Sequence, residues 1–461
     1  MSDPIAVLTG WTGDLAGLLW GNGLTLLVLL GMGLYLTLRM GFVQIRGFRH
    51  SVELVSGRYS CSTDAGQISH FQALSTALSA TVGTGNIAGV ATAISLGGPG
   101  ALFWMWMTAF FGMATKFTEC TLALKFREIA PDGSIAGGPM YTLLNGLKMK
   151  RTATLFASFA LVASFGIGNM VQANSVVDGL GYLYPGVREN AWLVGCVMAF
   201  LVGLVILGGV NRIAHVASAI VPLMALMYVS AALLVLFNYA DRIPQALATI
   251  FNHALNPWAM GGAAVGEAIR WGVARGLFSN EAGLGSSPMA HAAARTNEPV
   301  REGLVAMLEP FIDTLVICTM TGLVIVVTGA YTIKQDDLVG AALTAHAFQS
   351  SLGPAGAAVV GIGLSLFAFS TIIAWSYYGD RSAHFLFGER AVGPYRVVFT
   401  FLVLVGAAVP LKLVWNIADI TNILMALPNL LSLAMLAGLV KGMKSAYFSG
   451  LAETRSKKAN L

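Results

Sequence analysis

The chain has 461 residues, of which 56% are hydrophobic and only 11% are charged, and its mean hydropathy is +0.72. Soluble proteins carry about 25% charged residues, so this composition excludes an ordinary water-soluble domain and indicates a protein that lies mostly in lipid. The net charge of +5 does not require a nucleic-acid partner, because an excess of positive residues on the cytoplasmic side of a membrane explains it.

Eleven apolar stretches are each near or above the roughly 20 residues that cross a bilayer as a helix. In chain order they are about 19–39, 71–97, 100–124, 153–183, 191–209, 213–237, 259–294, 303–329, 356–379, 394–411 and 413–438. If the first runs from outside to inside, 20 of the 27 Lys and Arg residues fall on the inner side, 4 on the outer side and 3 within spans. This split predicts an N-terminus outside the cell and a C-terminus in the cytoplasm.

The second of these spans is interrupted by VGTGN, residues 82–86, where two glycines and an asparagine make a helix hard to continue. A similar interruption is predicted at 278–286, within LFSNEAGLGSSPM. In lipid, a broken helix leaves backbone groups unpaired at a cost of several kcal/mol each, roughly, unless something binds them. Interrupted spans at matching positions of two halves are typical of the binding site of a transporter.

The ten spans after the first divide into two sets of five, and each set starts with an interrupted span. Because five is odd, the two sets enter the membrane from opposite sides and form an inverted repeat. We therefore expect an all-α membrane protein with a 5+5 inverted repeat and one extra N-terminal helix. We expect four segments. Residues 1–70 form an N-terminal helix and a basic segment on the inner membrane surface, residues 71–240 and 241–440 form the two repeats, and residues 441–461 form a basic cytoplasmic tail in which the run RSKKAN is disordered.

The ends of half-helices at an interruption offer N–H groups to an anion and carbonyl groups to a cation. N–H groups for the carboxylate of an amino acid would come from Gly83, Thr84, Gly85 and Asn86. Carbonyls for its ammonium group would come from Phe278, Ser279 and Asn280. The alternative for the first interruption is that Gly85 and Gly89 form a face for close helix packing.

Other polar side chains within the apolar spans are candidates for the same site. The adjacent hydroxyls of Ser370 and Thr371 either bond back to the carbonyl one turn earlier or bind sodium together with carbonyls freed at the first interruption. Trp375 lies on the face of Thr371 and is either a pocket wall, a lipid-facing tryptophan or a core residue. The buried amides of Asn169 and Gln172 need partners, which are a neighbouring helix or the substrate.

Charged residues within spans are functional candidates by default. Glu267 with Arg270, and Lys116 with Glu119, are spaced to pair on one helix face. We find no lone carboxylate at the centre of a span that would carry a proton, which favours sodium as the coupling ion. The histidines, including His291, fall near predicted span ends or in loops, and no HExxH or GxSxG motif indicates an enzyme.

Three runs of sequence resemble the alanine/glycine:cation symporter family of bacteria and archaea: VGTGNIAGVATAISLGGPGALFWMW, GLFSNEAGLGSSPMAHAAA and STIIAWSYYGDR. The resemblance covers nearly the whole chain and implies the LeuT-type inverted-repeat fold. It implies sodium-coupled uptake of alanine or glycine by alternating access, with a proton-coupled or exchange-only carrier of the same fold as the alternative. We expect a monomer in the lipid of the prokaryotic plasma (inner) membrane, with Na+ as coupling ion and no cofactor.

The resemblance also implies roles for individual residues. The substrate carboxylate would lie at the first interruption, its amino group near Phe278 and Ser279 with Gln172 beside it, and Trp375 would limit the side-chain pocket. The expected sodium ligands are two carbonyls and two hydroxyls, those of Ser79, Val82, Ser370 and Thr371. Phe367 stands where LeuT-type relatives often have alanine, three residues before the first hydroxyl, and would contribute only its carbonyl.

Overall fold

The computed structural model of the chain describes residues 4–21, 23–129, 135–184, 186–256, 262–333, 338–408 and 412–459. These residues are mostly helical, and one small antiparallel sheet pairs β1, Glu128–Ile129, with β2, Ile135–Ala136. The predicted span ends at 259–261 and 409–411, and the last two residues of the predicted tail, lie outside the described residues.

The helices are numbered in chain order. They are α1 Pro4–Gly21, α2 Gly23–Arg39, α3 Val43–Arg46, α4 Phe48–Val55, α5 His70–Thr81, α6 Gly85–Gly97, α7 Ala101–Lys125, α8 Pro139–Tyr141, α9 Lys150–Leu183, α10 Gly186–Glu189, α11 Ala191–Ile206, α12 Gly209–Asn238, α13 Ile243–Leu255, α14 Gly262–Asn280, α15 Pro288–His291, α16 Pro299–Val327, α17 Ala341–Leu352, α18 Pro354–Phe387, α19 Val392–Ala408 and α20 Lys412–Ala459. Wider π-helical turns lie at Gly85–Gly89, Thr142–Gly146, Gly166–Met170 and Phe311–Cys318, and 3₁₀ turns at Ala240–Arg242, Ala330–Thr332 and Glu389–Ala391.

Several of these helices suit a membrane. In the described part of the chain, six are long and apolar enough to cross one, or up to eight if each of two bent pairs is a single span. The bent pairs are α1 with α2, at 47°, and α5 with α6, at 52°. The predicted count of eleven spans and the inverted repeat stay predictions. One reason for the lower count is that α7, at 25 residues, carries the buried charges of Lys116 and Glu119.

The chain ends contain more helix than predicted. The first span, expected at about 19–39, corresponds to α2, and a further helix, α1, precedes it. The run RSKKAN, residues 455–460, was expected to be disordered, but α20 continues as far as Ala459. The helix continues there because no proline follows Pro428, and a run of good helix formers such as alanine and lysine does not stop it.

The packing of α7 brings the two interruptions together. It lies against α14 and α16, while α5 lies against α18. The chain just before α5 also pairs with the chain after α15: the N–H of Gln67 donates to the carbonyl of Ala293 over 2.8 Å, and that of Arg295 to Ile68 over 2.7 Å. Residues far apart in sequence therefore meet at the ends of the interrupted helices.

Candidate functional site

The first interruption leaves backbone N–H groups that are already bound by side chains. The N–H of Gly83 donates to Oδ1 of Asn86 over 2.9 Å, and the N–H of Thr84 donates to Oε1 of Gln172 over 3.3 Å. The hydroxyl of Thr84 is buried and has no hydrogen-bond partner among the described residues. The turn between α5 and α6 therefore gathers N–H and O–H donors, as the sequence predicts for residues 82–86.

The four residues predicted to bind sodium lie together between α5 and α18. Oγ of Ser79 donates to the carbonyl of Ser370 over 2.6 Å, and Oγ of Ser370 lies 3.3 Å from the carbonyl of Ser79. Oγ1 of Thr371 lies 3.4 Å from the carbonyl of Val82. The carbonyl of Phe367 is 2.8 Å from the Ser370 hydroxyl and 3.0 Å from the Thr371 hydroxyl. The hydroxyls therefore bond back within α18, as one of the two alternatives states, and they also lie close to the first interruption; the binding of sodium there stays a prediction.

The second interruption begins later than predicted. Helix α14 continues through Asn280, so Phe278 and Ser279 lie in its last turn rather than in the break. The break itself follows at Glu281, whose φ of 53° is left-handed, a strained conformation for a residue other than glycine. The last carbonyls of a helix have no partner within it, so Phe278 and Ser279 still offer carbonyl oxygens at the end of α14.

A buried carboxylate joins the two interruptions. On the π-helical part of α16, Asp313 accepts from Nδ2 of Asn86 over 2.6 Å and from Oγ of Ser279 over 2.8 Å. Oγ1 of Thr314 also donates to it over 2.6 Å. No lysine, arginine or histidine of the described ranges forms an ion pair with Asp313. A buried anion without a counter-charge is costly, so this position suits a cationic ligand.

The sequence argument missed Asp313, although a signal existed. No carboxylate at the centre of a span was selected from the sequence. The run FIDTLVIC in fact carries a single acid among apolar residues, which is the pattern expected of an intramembrane functional residue.

Phe278, at the end of α14, packs against residues that line a large cavity. The ring of Phe278 stacks on that of Trp415 with centroids 5.4 Å apart, and the guanidinium of Arg275 lies 5.6 Å from each ring. Trp415 and Arg275 line a cavity of about 510 Å³ together with Ala88 and Gly340. All eight residues predicted to bind the substrate are buried, so the candidate site is shielded from solvent in this structure.

Trp375 is fully buried on α18, which excludes the lipid-facing alternative. Its Nε1 donates to Oε1 of Glu281 over 3.0 Å, and its ring packs so tightly on Gly168 that a Cβ there would come within 2.4 Å of it. Nε2 of Gln172 donates to the nearby carbonyl of Ile167 over 3.1 Å. Gln172 therefore connects this segment of α9 to the first interruption.

A family model decides which kind of protein has these features: the model described as the sodium:alanine symporter family matches residues 5–460. The chain belongs to the sodium:alanine symporter family. The sodium/alanine symporter AgcS of Methanococcus maripaludis is 49% identical over 433 residues, which cover 93% of this chain and 94% of that protein. The Bacillus subtilis protein named "Probable sodium/glutamine symporter GlnT" is 37% identical over 445 residues, covering 96% and 90%.

A solved structure agrees at the level of the fold. The crystal structure of MhsT in complex with L-phenylalanine has a TM-score of 0.57 and 13% sequence identity, and the match covers 82% of this chain and 98% of that chain. At that identity the likeness concerns the fold alone, which is LeuT-like.

The family assignment confirms three predictions. The resemblance to the alanine/glycine:cation symporter family was correct, the chain is an integral membrane protein with several apolar helices, and it is a transporter rather than an enzyme. Its substrate, its coupling ion and the residues that bind them remain predictions.

Proposed function

We propose that this member of the sodium:alanine symporter family takes up alanine or glycine together with Na+. The observation that carries the proposal is the crossing between the end of α5 and α18. There Ser79, Val82, Ser370 and Thr371 bring carbonyl and hydroxyl oxygens within hydrogen-bond distance of one another.

These oxygens suit a small monovalent cation. All of the groups are neutral and buried, so a bound Na+ would meet no opposing positive charge. A hydroxyl carries one donor and two acceptor lone pairs. Ser370 and Thr371 can therefore direct lone pairs at the ion while each keeps its hydrogen on the carbonyl of Phe367, the acceptor already 2.8 and 3.0 Å away. Together with the carbonyls of Ser79 and Val82, this arrangement supplies a set of oxygen ligands.

The carboxylate of the amino acid would bind at the start of α6. A helix N-terminus attracts an anion, and the backbone N–H groups of Gly83, Thr84, Gly85 and Asn86 lie there. Those of Gly83 and Thr84 would exchange their present side-chain acceptors for the carboxylate. The unpartnered hydroxyl of Thr84 is a further donor there. Gln172, which now accepts from the N–H of Thr84, would turn its amide toward the substrate when the carboxylate takes that N–H group.

The ammonium group would bind on the opposite side, at the end of α14. The carbonyls of Phe278 and Ser279 and the carboxylate of Asp313 are the acceptors near that point. Asp313 supplies a full negative charge, and a charge-assisted hydrogen bond is roughly twice as strong as a neutral one. This assignment adds Asp313 to the substrate site predicted from the sequence.

The pocket favours a small side chain. A Cβ on Gly85 would lie 3.2 Å from Cα of Ser279, so the first interruption is already in contact with the end of α14. Trp375 and Gly168 close the space next to Gln172. A substrate with a hydrogen or a methyl side chain suits this space better than glutamine, the substrate in the name of one relative.

Transport would follow from the coupling of the two sites. Na+ joins the first interruption to α18, the amino acid closes the site, and rocking of the helices opens it to the other side. At about −100 mV each Na+ gains roughly 2.3 kcal/mol from the potential alone, which corresponds to about 50-fold accumulation of substrate. We propose an N-terminus outside the cell, a C-terminus in the cytoplasm, and a monomer in the lipid of the plasma membrane.

The test is uptake of radiolabelled alanine into proteoliposomes, with an inward sodium gradient and then with choline in place of sodium. We expect uptake only with sodium. Unchanged uptake in choline would refute sodium coupling and select a proton-coupled or exchange-only carrier of the same fold. No uptake in either medium would refute the substrate, and glutamine and other neutral amino acids would then be screened.

A further inference from the structure

A second buried polar region lies on the far side of the second interruption, away from the candidate sodium ligands. We call it the buried charge network, and its members are His70, Lys116, Glu119, Glu281, His291, Glu302 and Glu309. All of them are at most 2% exposed. The proposed symport mechanism uses none of these groups, and charges this deep in a membrane protein are rarely without function.

His291 is held between two glutamates. Its Nδ1 lies 2.6 Å from Oε1 of Glu302, and its Nε2 lies 2.6 Å from Oε1 of Glu309. A neutral imidazole has one N–H donor and one acceptor nitrogen. It cannot donate to two ionised carboxylates, so these contacts require an additional proton shared by His291 and its two glutamates.

The two glutamates extend the chain of contacts in both directions. The other oxygen of Glu302 accepts from Nδ1 of His70 at the start of α5. The other oxygen of Glu309 lies 2.9 Å from Nζ of Lys116, which also contacts Oγ of Ser287. Glu119 lies farther from Lys116, at 3.9 Å, so the helix-face pair predicted from the sequence is the weaker of the two pairs that Lys116 makes.

The number of charges shows why the proton matters. Four carboxylates face one lysine and two histidines, so even with both histidines protonated the network has one more negative than positive charge. Loss of the proton on His291 increases the imbalance. Uncompensated buried charge is strongly unfavourable, so the closed arrangement and the extra proton stabilise each other.

The network connects segments that must separate for the site to open on this side. His70 lies on α5, Lys116 on α7, His291 on α15, and Glu302 on α16. Arg127 strengthens the same end, because its guanidinium donates at 2.8 Å to four carbonyls, those of Ala65, Ala292, Ala294 and Thr296. Burial lowers the pKa of Arg127, but a guanidinium stays protonated in proteins.

We propose that His291, between Glu302 and Glu309, is a proton-binding site that holds the cytoplasmic half of the transporter closed. The proposal rests on the proposed function and on the orientation given with it. The proton passes from the imidazolium to cytoplasmic water and returns from there. Once it leaves, the neutral ring donates to only one glutamate, and the other carboxylate faces a lone pair. That repulsion separates α15 from α16, so the proton regulates opening and is not carried across the membrane.

A metal ion is the competing ligand for these atoms. The ligand atoms of Cys120, His291 and Glu309 all lie within 4.8 Å of one another. The ammonium of Lys116, however, already occupies the second oxygen of Glu309 and repels a second cation. A proton fits this environment better than a metal, because it adds a donor without needing further ligands.

Several other titratable groups face the site, so the test must isolate His291. From the neighbouring elements they are His70 on α5, Lys116, Glu119 and Cys120 on α7, Glu281 after α14, Glu302 and Glu309 on α16, Tyr378 on α18, and Arg127 beyond α7. The matched control is His215, an exposed histidine on α12 outside the network.

The experiment uses uniformly oriented proteoliposomes with an inward sodium gradient, a fixed outer pH and an inner pH varied from about 5.5 to about 8.5, around the usual histidine range. We expect alanine uptake to decrease as the inner pH is lowered, approaching about tenfold per pH unit for one proton. A pH indicator inside should show no proton influx with alanine. His291→Gln should lose the dependence on inner pH and keep sodium-dependent alanine binding, while His215→Gln should behave as the wild type.

Opening of the cytoplasmic side can also be measured without transport. Cys120 is buried beside Glu309 and Lys116, so its labelling by a membrane-impermeant maleimide trapped inside, identified by peptide mass, reports access from the cytoplasmic side. Because the thiolate fraction of Cys120 itself rises with pH, we expect labelling to increase more steeply with inner pH in the wild type than in His291→Gln, in which only that fraction changes. Because this readout needs no alanine, it still tests the proton site if the proposed substrate is wrong.

Three results would overturn the inference. They are an unchanged inner-pH profile in His291→Gln, a dependence on outer pH that the same variant removes, and proton influx in step with alanine. If His291→Gln does not fold, Glu302→Gln tests the same contact, because a neutral amide needs no proton from the ring. A wild-type pH profile in Glu302→Gln would then reject the proposal.

Discussion

Replacing Thr371 by alanine is the sharpest test of the sodium site. The change removes one hydroxyl ligand and no backbone carbonyl. The hydroxyl lies 3.0 Å from the carbonyl of Phe367 and 3.4 Å from that of Val82, so at most one hydrogen bond worth about 0.5–1.5 kcal/mol is lost from the fold. A contact with a charged partner is worth about 1.5–3 kcal/mol. We therefore expect sodium affinity to fall about ten- to a hundredfold.

The assay is the sodium dependence of alanine uptake in proteoliposomes, with alanine binding measured in parallel at saturating sodium. Thr371→Ser keeps the hydroxyl and should retain sodium affinity. Ser376→Ala is the matched control, because this buried hydroxyl on the same helix donates to the carbonyl of Ile373 over 2.6 Å instead of facing α5. Loss of alanine binding with intact sodium affinity would refute the reasoning and move Thr371 to the substrate site.

Two further substitutions test the interruptions. Gly83→Ala should weaken sodium and alanine binding together, by about tenfold or more. The reason is that its Cβ would lie 2.6 Å from Oγ1 of Thr371 and 3.2 Å from Oε1 of Gln172. An effect on the binding of only one of the two ligands would contradict the placement of Gly83 between the sodium site and the substrate site. Asp313→Asn removes the charge but keeps the shape, and should lower alanine affinity about ten- to a hundredfold in equilibrium binding; unchanged alanine affinity with altered sodium dependence would assign Asp313 to a cation instead.

The first interruption was predictable because its cause is local. Two glycines and an asparagine within five residues disfavour a helix in any context, and the structure bends by 52° at that point. The second was placed about a turn too early. The run LFSN contains no glycine or proline, so the helix continues to Asn280, and the left-handed residues that end it, Glu281 and Gly283, follow afterwards.

The crossing between the first interruption and α18 was not predictable from local pattern. Ser79 and Ser370 are 291 positions apart in sequence, and spacing on one helix says nothing about such a contact. The residue types suggested that Ser370 and Thr371 share a cation with carbonyls of the first interruption, and the family resemblance added Ser79 and Val82 to them. One prediction from the sequence was that the hydroxyls of Ser370 and Thr371 bond back to a carbonyl one turn earlier. Their contacts with the carbonyl of Phe367 agree with it.

Charges were the least predictable part for the same reason. The i, i+3 rule identified Lys116 with Glu119, yet the closer partner of Lys116 is Glu309, at 2.9 Å compared with 3.9 Å. His291 was placed near the end of the predicted span 259–294, although it lies on a short separate helix and is completely buried. Pairing rules for one helix fail where several helices bring their charges to a common point.

Glu281 connects the proposed substrate pocket with the buried charge network. It follows α14 directly after the residues assigned to the ammonium group, and its carboxylate accepts from Nε1 of Trp375, the proposed wall of the substrate pocket, over 3.0 Å. Its other oxygen accepts from Ser286 within the same interruption. A substrate side chain that moves the indole therefore alters a hydrogen bond of the buried charge network directly. The left-handed backbone at Glu281 holds the carboxylate at this junction, and strain of that kind persists only where the surrounding contacts fix it.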